Sequence, residues 1–235
     1  MNDRPNGTAQ LAHDAPAVPE VVDRAAWQAE LDALRVREKE HTRQGDVIAA
    51  ARRRLPMVEV DPGIPLVGPD GPVTLLEAFE GRGQLIAYFH MWHAGRSAAE
   101  QCPGCTFFNG QVRDLFHLHA RDVTYATFCQ GPYEESVRYR DLLGLAMPWY
   151  SVRDSAAESL LPGRTPGMFY LVCYLRQGGR VFETYWTSGR GVEAMDNSYS
   201  LLDLTAYGRR QAWEDSPSGW PRDGEDMRRD LSCCT

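Results

Sequence analysis

The most informative part of the sequence reads QLIAYFHM at residues 84–91 and CPGC at residues 102–105. The apolar run follows Gly83 and has the length and composition of a buried strand. Residues 106–120 carry apolar side chains at helical spacing, and Pro103 suits the first turn of a helix, where its missing N–H costs little. The sequence therefore predicts a strand, a short loop and a helix that begins at the two cysteines. In that setting a CxxC motif indicates redox chemistry.

The predicted start of this helix also predicts how the two thiols differ. Cys102 lies just outside the helix and Cys105 in its first turn. The helix dipole and the unpaired backbone N–H groups at a helix start favour an anion, so we expect a Cys102 pKa below the usual value of about 8.5. In dithiol–disulfide exchange Cys102 is then the nucleophile, which attacks a disulfide or an electrophilic sulfur, and Cys105 resolves the mixed intermediate.

The order of elements predicts an α/β protein with a thioredoxin-like fold, in which helices flank a central mixed sheet. Parallel strands joined by helical crossovers come first, and an antiparallel hairpin ends the sheet. Beyond the CxxC helix the predicted elements are a strand at 122–129, a helix at 133–143, an extended piece at 148–152, hairpin strands at 168–175 and 180–186, and a closing helix at 191–204.

Pro166 lies just before the first strand of this hairpin. In thioredoxin-like proteins a cis-proline at this point lies against the CxxC motif and helps to bind the substrate backbone, so Pro166 is a candidate for shaping the substrate groove. The alternative is an ordinary loop proline, because only about 5–6% of X–Pro bonds in folded proteins are cis.

The sequence predicts three segments around the domain core. Residues 1–19 are rich in Pro, Ala and Asp and predict a disordered leader, and the domain is expected to span residues 20–212. Residues 20–56 form a predicted N-terminal helical extension, which Gly45 is expected to divide and which stops at Pro56. Residues 213–235 are polar and predict a flexible tail that does not pack and ends in the vicinal pair Cys233 and Cys234.

Composition and charge exclude several classes of protein. The 235 residues are 43% hydrophobic, which suits one domain with a sizeable core, and the net charge of −7 argues against nucleic-acid partners. No apolar run approaches the roughly 18 residues of a membrane span, and the leader lacks the apolar core of a signal peptide. Six cysteines in a chain of this length do not indicate a secreted disulfide scaffold. We expect a cytoplasmic protein that acts on a small-molecule or protein disulfide and has no membrane partners. A homo-oligomer is possible, and the sequence does not decide the oligomeric state.

Several stretches are similar to the bacterial thioredoxin-like proteins of unknown function that are predicted to be dithiol–disulfide oxidoreductases. The resemblance extends from about Val21 to Arg210 and implies a thioredoxin-like fold, with the activity implied only by that family prediction. It is carried, in family order, by GRGQLI at 81–86, CPGC at 102–105, ARDVT at 120–124, PW at 148–149, GRVF at 179–182 with Tyr185, GRGVE at 189–193 and LLDLT at 201–205.

This chain also departs from the family pattern at three places, which suggests a specialised member. It reads YFHMWH at 88–93 where relatives usually read Tyr-His-Phe-Met-Phe, and CQGP at 129–132 where they have a Ser-Arg-Ala-Pro-like turn. The third departure is the pair Cys233 and Cys234. On a flexible tail this pair could shuttle electrons to the CxxC motif, as the tail pair of mercuric reductases delivers its ion; the alternative is that the two cysteines have no role.

Other residues near the motif are candidates for auxiliary roles. Tyr88, His90 or His93 could assist proton transfer, and the sequence does not choose among them. Cys129, at the end of a predicted strand, could face the site, although a buried cysteine is more often inert. The redox hypothesis requires no metal or other cofactor.

Two further hypotheses stay open. His90, His93, Cys102 and Cys105 are four soft or borderline ligands within sixteen residues and could hold copper or zinc in a thioredoxin-fold metalloenzyme. Because alternate residues of a strand point to opposite faces, His93 must then lie in the loop after the strand. The last hypothesis is a non-catalytic accessory protein that binds a ligand among the aromatic side chains near the motif.

Overall fold

A computed structural model describes residues 17–154, 159–222 and 224. Most of the predicted leader and the Cys233–Cys234 pair lie outside the described residues. The strands are β1 (Val58–Val60), β2 (Pro65–Gly68), β3 (Gly71–Thr74), β4 (Gln84–His90), β5 (Val123–Cys129), β6 (Trp149–Ser151), β7 (Tyr170–Gln177) and β8 (Arg180–Thr187). The α-helices are α1 (Arg24–Arg52), α2 (Pro103–Gln111), α3 (Phe116–His119), α4 (Tyr133–Leu142) and α5 (Ser198–Leu202).

The described strands form one mixed sheet in the order β1-β8-β7-β4-β5-β6-β2-β3. At its centre β4 and β5 are parallel, in a register that runs from Gln84 opposite Val123 to His90 opposite Cys129. Helix α2 belongs to the crossover between these strands, as parallel neighbours require. Strand β7 is antiparallel to β4, and β8 is antiparallel to β7. This is the topology of the thioredoxin-like fold, so the predicted α/β class is confirmed.

The alternation of side chains along β4 divides the core into two layers. Leu85, Ala87 and Phe89 point to one face of the sheet, where the core contains no part of the CxxC motif. Tyr88 and His90 point to the other face. Helices α2 and α4 cover this second face, and its buried side chains include Cys105. The fold therefore places the CxxC motif against the side chains that β4 and β5 present at their carboxyl ends.

Two predicted helices differ from the observed ones. The region 106–120 is divided into α2 and α3, because the backbone becomes extended at Val112, and Asp114 then caps the next turn by accepting the Phe116 N–H at 2.8 Å. The closing helix predicted at 191–204 is instead a 3-10 helix, Gly189–Met195, followed by the short helix α5. In both cases the helical spacing of apolar residues does not show where the backbone leaves the helical conformation, which it does at Val112 and at Asp196.

The N-terminal extension is a single helix. Asp23 caps α1 by accepting the Ala26 N–H at 2.8 Å, and Gly45 does not divide the helix. A glycine inside an exposed helix costs only about 1 kcal/mol relative to alanine, which a helix of this length tolerates. None of the α1 residues is buried. None of the described helices has both the length and the apolar character needed to cross a membrane.

The described part of the predicted tail contacts the rest of the chain. The Trp220 ring packs edge-on against Tyr207 at 5.4 Å between ring centroids, and the Ala17 N–H donates to the Gly219 carbonyl at 3.2 Å. The expectation that packing ends at Trp213 is therefore wrong for this part of the tail, and the domain limits of 20–212 stay predictions.

Candidate active site

The CxxC motif forms the first turn of α2. Cys102 is the N-cap residue and Pro103 is the first residue of the helix. The Cys105 N–H donates to Cys102 Sγ at 3.4 Å, so the sulfur takes the place that a serine or aspartate oxygen commonly has at a helix start. Both thiols are free, and Cys102 is half-buried while Cys105 is fully buried. A reagent therefore meets the Cys102 sulfur before the Cys105 sulfur.

The pKa values of the two thiols are shifted in opposite directions. A hydrogen bond from the Cys105 thiol, together with the N–H groups of Cys105 and Gly104 and the nearby His93, lowers the pKa of Cys102 to about 6. Burial raises the pKa of Cys105 well above its usual value, and the neighbouring Cys102 adds to this effect. At neutral pH the arrangement thus favours Cys102 as a thiolate and Cys105 as a protonated thiol.

Tyr88 lies beneath Cys105 on the buried face of β4. Its buried hydroxyl is near enough to the Cys105 thiol to be affected by it, but has no hydrogen-bond partner among the described residues. Burial and the nearby Cys105 raise the pKa of Tyr88 well above its usual value, so the phenol stays protonated. A neutral O–H group in this place can stabilise a thiolate on Cys105 whenever that thiol loses its proton.

The structure adds Met91 and Tyr139 to the residues predicted from sequence. Met91 Sδ lies 3.7 Å from Cys102 Sγ. Thr106 donates to the Cys102 carbonyl at 2.8 Å and forms a hydrogen bond with the Tyr139 hydroxyl, which ties α4 to the first turn of α2. Met91 ends an apolar run without any motif of its own, and Tyr139 reaches the site only through tertiary packing. No sequence signal singles out either residue.

His90 is fully buried on the same face of the sheet as Tyr88. Its Nδ1–H donates to the Met91 carbonyl at 2.6 Å, while Nε2 has no hydrogen-bond partner within the described part of the chain. The rings of Tyr139 and Trp149 pack against it at 5.7 and 5.6 Å. Burial lowers the pKa of His90 to about 4, so the ring is neutral at physiological pH.

The four predicted metal ligands do not assemble into one site. His93 lies in the loop after β4, as the metal hypothesis requires, but it is exposed and its Nδ1 makes a 3.2 Å hydrogen bond with the Glu100 carbonyl. His90 is enclosed among aromatic rings. Across the described ranges no three His, Cys, Asp or Glu side chains converge to hold a metal ion. The arrangement therefore does not fit the predicted copper or zinc site.

Cys129 lies opposite His90 in the β4–β5 register and is fully buried. Burial raises the pKa of the Cys129 thiol to about 12. The thiol is therefore protonated at neutral pH and inert, because the thiolate is the nucleophile.

The peptide bond before Pro166 differs from the predicted one. No described peptide bond is cis, so the Thr165–Pro166 bond is trans and the cis interpretation is wrong. The proline lies in an exposed turn, and β7 begins only at Tyr170. Gln130 fixes this turn by accepting the Gly167 N–H at 3.1 Å and donating to the Met168 carbonyl at 2.8 Å. The turn thus lies beside the carboxyl end of β5, and a role for Pro166 in a substrate groove stays a prediction.

Fold and site together define a thioredoxin-fold protein with an unpaired CxxC dithiol at the start of a helix. The chain belongs to the family described as "Bacterial protein of unknown function (DUF899)", which matches residues 16–227. No curated protein matches the chain in sequence.

Solved structures are similar to the chain at low identity. The bacterioferritin comigratory protein of Xanthomonas campestris is 14% identical, with 60% of this chain and 93% of that chain covered and a TM-score of 0.41. The peroxidoxin BcpB of Mycobacterium tuberculosis is 15% identical, with coverage of 61% and 89% and a TM-score of 0.43. A Chlorobium tepidum protein assigned as a thiol:disulfide interchange protein DsbE is 13% identical, with coverage of 63% and 97% and a TM-score of 0.39. Similarity at this level carries no argument about the reaction of this chain.

Proposed function

We propose that this protein is a thiol–disulfide oxidoreductase in which Cys102 is the attacking thiolate and Cys105 the resolving thiol. The observation that supports this most directly is the position of the Cys102 sulfur at the N-cap of α2, where it accepts the Cys105 N–H at 3.4 Å. An accessible thiolate beside a buried thiol is the asymmetry that a two-step exchange requires.

In the first step the Cys102 thiolate attacks one sulfur of a substrate disulfide. A Cys102–substrate disulfide forms, the substrate S–S bond breaks, and the leaving thiolate takes a proton from solvent. In the second step Cys105 loses its proton and attacks Cys102 Sγ, which releases the second substrate thiolate and leaves a Cys102–Cys105 disulfide. The substrate gains two electrons that the dithiol loses, and a dithiol reductant must restore the protein.

Tyr88 has a role in the second step of this proposal. Once Cys102 is in a mixed disulfide it no longer bears the negative charge that raises the pKa of Cys105. The Tyr88 hydroxyl near Cys105 then stabilises the emerging thiolate as a hydrogen-bond donor. We class Tyr88 as a positioning residue because it acts on the resolving thiol and not on the substrate.

Reduction of insulin disulfides, with dithiothreitol as the electron source, tests the proposal. We expect catalysis by the wild-type protein and loss of turnover in both Cys102→Ser and Cys105→Ser. Cys129→Ser is the control, since that thiol lies outside the CxxC motif and is fully buried with its pKa raised to about 12, and it should keep the wild-type rate. Equal activity of the wild type and Cys102→Ser would refute the proposal and favour the non-catalytic hypothesis.

A further inference from the structure

Met91 contacts the Cys102 sulfur, although the strand pattern would direct it elsewhere. Strand β4 ends at His90, whose side chain points to the face of the sheet that carries the CxxC motif. Continued alternation would send the Met91 side chain to the opposite face. Met91 instead packs against the hydrophobic cluster that contains Cys105, and its Sδ atom lies 3.7 Å from Cys102 Sγ. The chain therefore leaves the strand geometry at a residue that touches the attacking sulfur.

His90 fixes the backbone in this course. Its Nδ1–H donates to the Met91 carbonyl at 2.6 Å, and the rings of Tyr139 and Trp149 enclose the imidazole. The His90 carbonyl accepts the Gln130 N–H at 3.0 Å, which holds this end of β4 against the end of β5. Because His90 is fully buried, these contacts are protected from water. The Met91 side chain is thus presented to Cys102 by a fixed backbone.

The Met91 thioether occupies space beside the Cys102 sulfur. Exchange requires a substrate sulfur to come into contact with Cys102 Sγ, and the carbon next to that substrate sulfur must also find room. A heavy atom at 3.7 Å from Sγ is already in contact with it and removes part of this room. A free methionine side chain is flexible, but packing against the cluster limits the positions that Met91 can take.

We infer that Met91 determines which class of disulfide reacts in the proposed exchange: disulfides with unbranched carbon atoms next to sulfur are admitted, and those with fully substituted carbon atoms are excluded. The inference rests on the proposed function, since it takes Cys102 as the attacking sulfur. The bond changes are those of the first exchange step. A Cys102–substrate S–S bond forms, the substrate S–S bond breaks, and the leaving thiolate takes a proton from solvent. Met91 is chemically unchanged and acts by occupying space.

Cystine and penicillamine disulfide test this inference, because they carry the same charges and differ only by two methyl groups on each carbon next to sulfur. The reactions use full-length, fully reduced protein with Cys105→Ser as the parent, so that the Cys102 adduct persists. Peptide mass spectrometry follows formation of the adduct. The measured quantity is the rate constant for penicillamine disulfide divided by that for cystine, and a change in the Cys102 pKa affects both rate constants equally.

We expect this ratio to rise about tenfold when Met91→Ala is added to the parent, which corresponds to about 1.4 kcal/mol of relieved crowding in the transition state. Met91→Val, whose side chain ends at Cγ, should raise the ratio in the same direction. Met91→Leu keeps a side chain of similar volume and should keep the low ratio. Met57→Ala is the matched control, because Met57 is also a partly exposed methionine but precedes β1 at one edge of the sheet.

The Met57→Ala ratio should equal that of the parent. A ratio that stays at the parent value in Met91→Ala and Met91→Val, or an equal rise in Met57→Ala or Met91→Leu, would overturn the inference and leave the proposed function intact. If Cys102 of the wild-type protein reacts with cystine no faster than the thiol of glutathione at the same pH, the proposed function itself fails.

Discussion

Replacement of Cys105 by alanine should raise the pKa of the Cys102 thiol. The largest contribution to the low Cys102 pKa of about 6 is the hydrogen bond from the Cys105 thiol. At pH 7 a pKa of 6 corresponds to about 90% thiolate, and the usual cysteine pKa of about 8.5 corresponds to about 3%. The backbone N–H groups of residues 104 and 105 remain in Cys105→Ala. We therefore expect an increase of at least about one unit, which leaves about half thiolate or less at pH 7.

The rate of iodoacetamide alkylation from pH ~4 to ~10, with the modified cysteine identified by peptide mass spectrometry, measures this change. Cys105→Ser is the control because its hydroxyl still donates, so its Cys102 midpoint should lie closer to wild type than that of Cys105→Ala. A wild-type midpoint of about 8.5 or above would refute the thiolate argument. Identical midpoints in wild type and Cys105→Ala would show that the Cys105 thiol is not the main stabilising donor.

Three further predictions concern the packing around the site, each checked by urea unfolding. His90 has a folded pKa of about 4 against an ordinary value of 6.5, so the unfolded state binds more protons between these values. Stability should therefore fall by up to about 3 kcal/mol as the pH drops from about 6.5 to 4, and His90→Phe should lose most of this dependence; an unchanged slope would contradict the assignment. Gly131→Ala places a Cβ inside the Trp92 ring and should cost about 1–3 kcal/mol, with partial relief in the double variant with Trp92→Ala. Gly110→Ala, which meets nothing within 4 Å, should cost nothing, and equal losses at the two glycines would refute the packing argument. Asn109→Ala removes a buried amide that bonds to two buried hydroxyl groups and should cost about 2–3 kcal/mol; a cost near zero would show that these groups find other partners.

The central strands could be predicted from sequence because their signal is local and strong. The apolar run at 84–91 became β4 at Gln84–His90, and the run at 122–129 became β5 at Val123–Cys129. The strand Val58–Val60 has no such signal, since it is short and mostly exposed and is defined by its pairing with β8. Short edge strands depend on their partner for identity, which a single sequence does not show.

In the site, too, features with a local sequence signal could be predicted, and features that depend on distant parts of the chain could not. The position of Cys102 at a helix start could be predicted because a proline and two spaced cysteines are a local pattern. The separation of His90 from His93 could be predicted only in part. The alternation of side chains along a strand indicates that His93 must lie in the loop if it is to approach His90. It does not show that His90 is enclosed by Tyr139 and Trp149. The contact between Met91 and Cys102 could not be predicted, since the same alternation would place Met91 on the other face of the sheet.

Trapping of the mixed disulfide tests whether Cys102 attacks the substrate and Cys105 resolves the intermediate. Reduced wild-type, Cys102→Ser and Cys105→Ser proteins are mixed with less than one equivalent of a disulfide reagent, and peptide mass spectrometry locates the product. We expect a stable adduct on Cys102 in Cys105→Ser, an intramolecular Cys102–Cys105 disulfide in the wild type, and no adduct at residues 102–105 in Cys102→Ser. An adduct that forms first on Cys105, or a wild-type protein that stays reduced at both positions, would contradict this expectation.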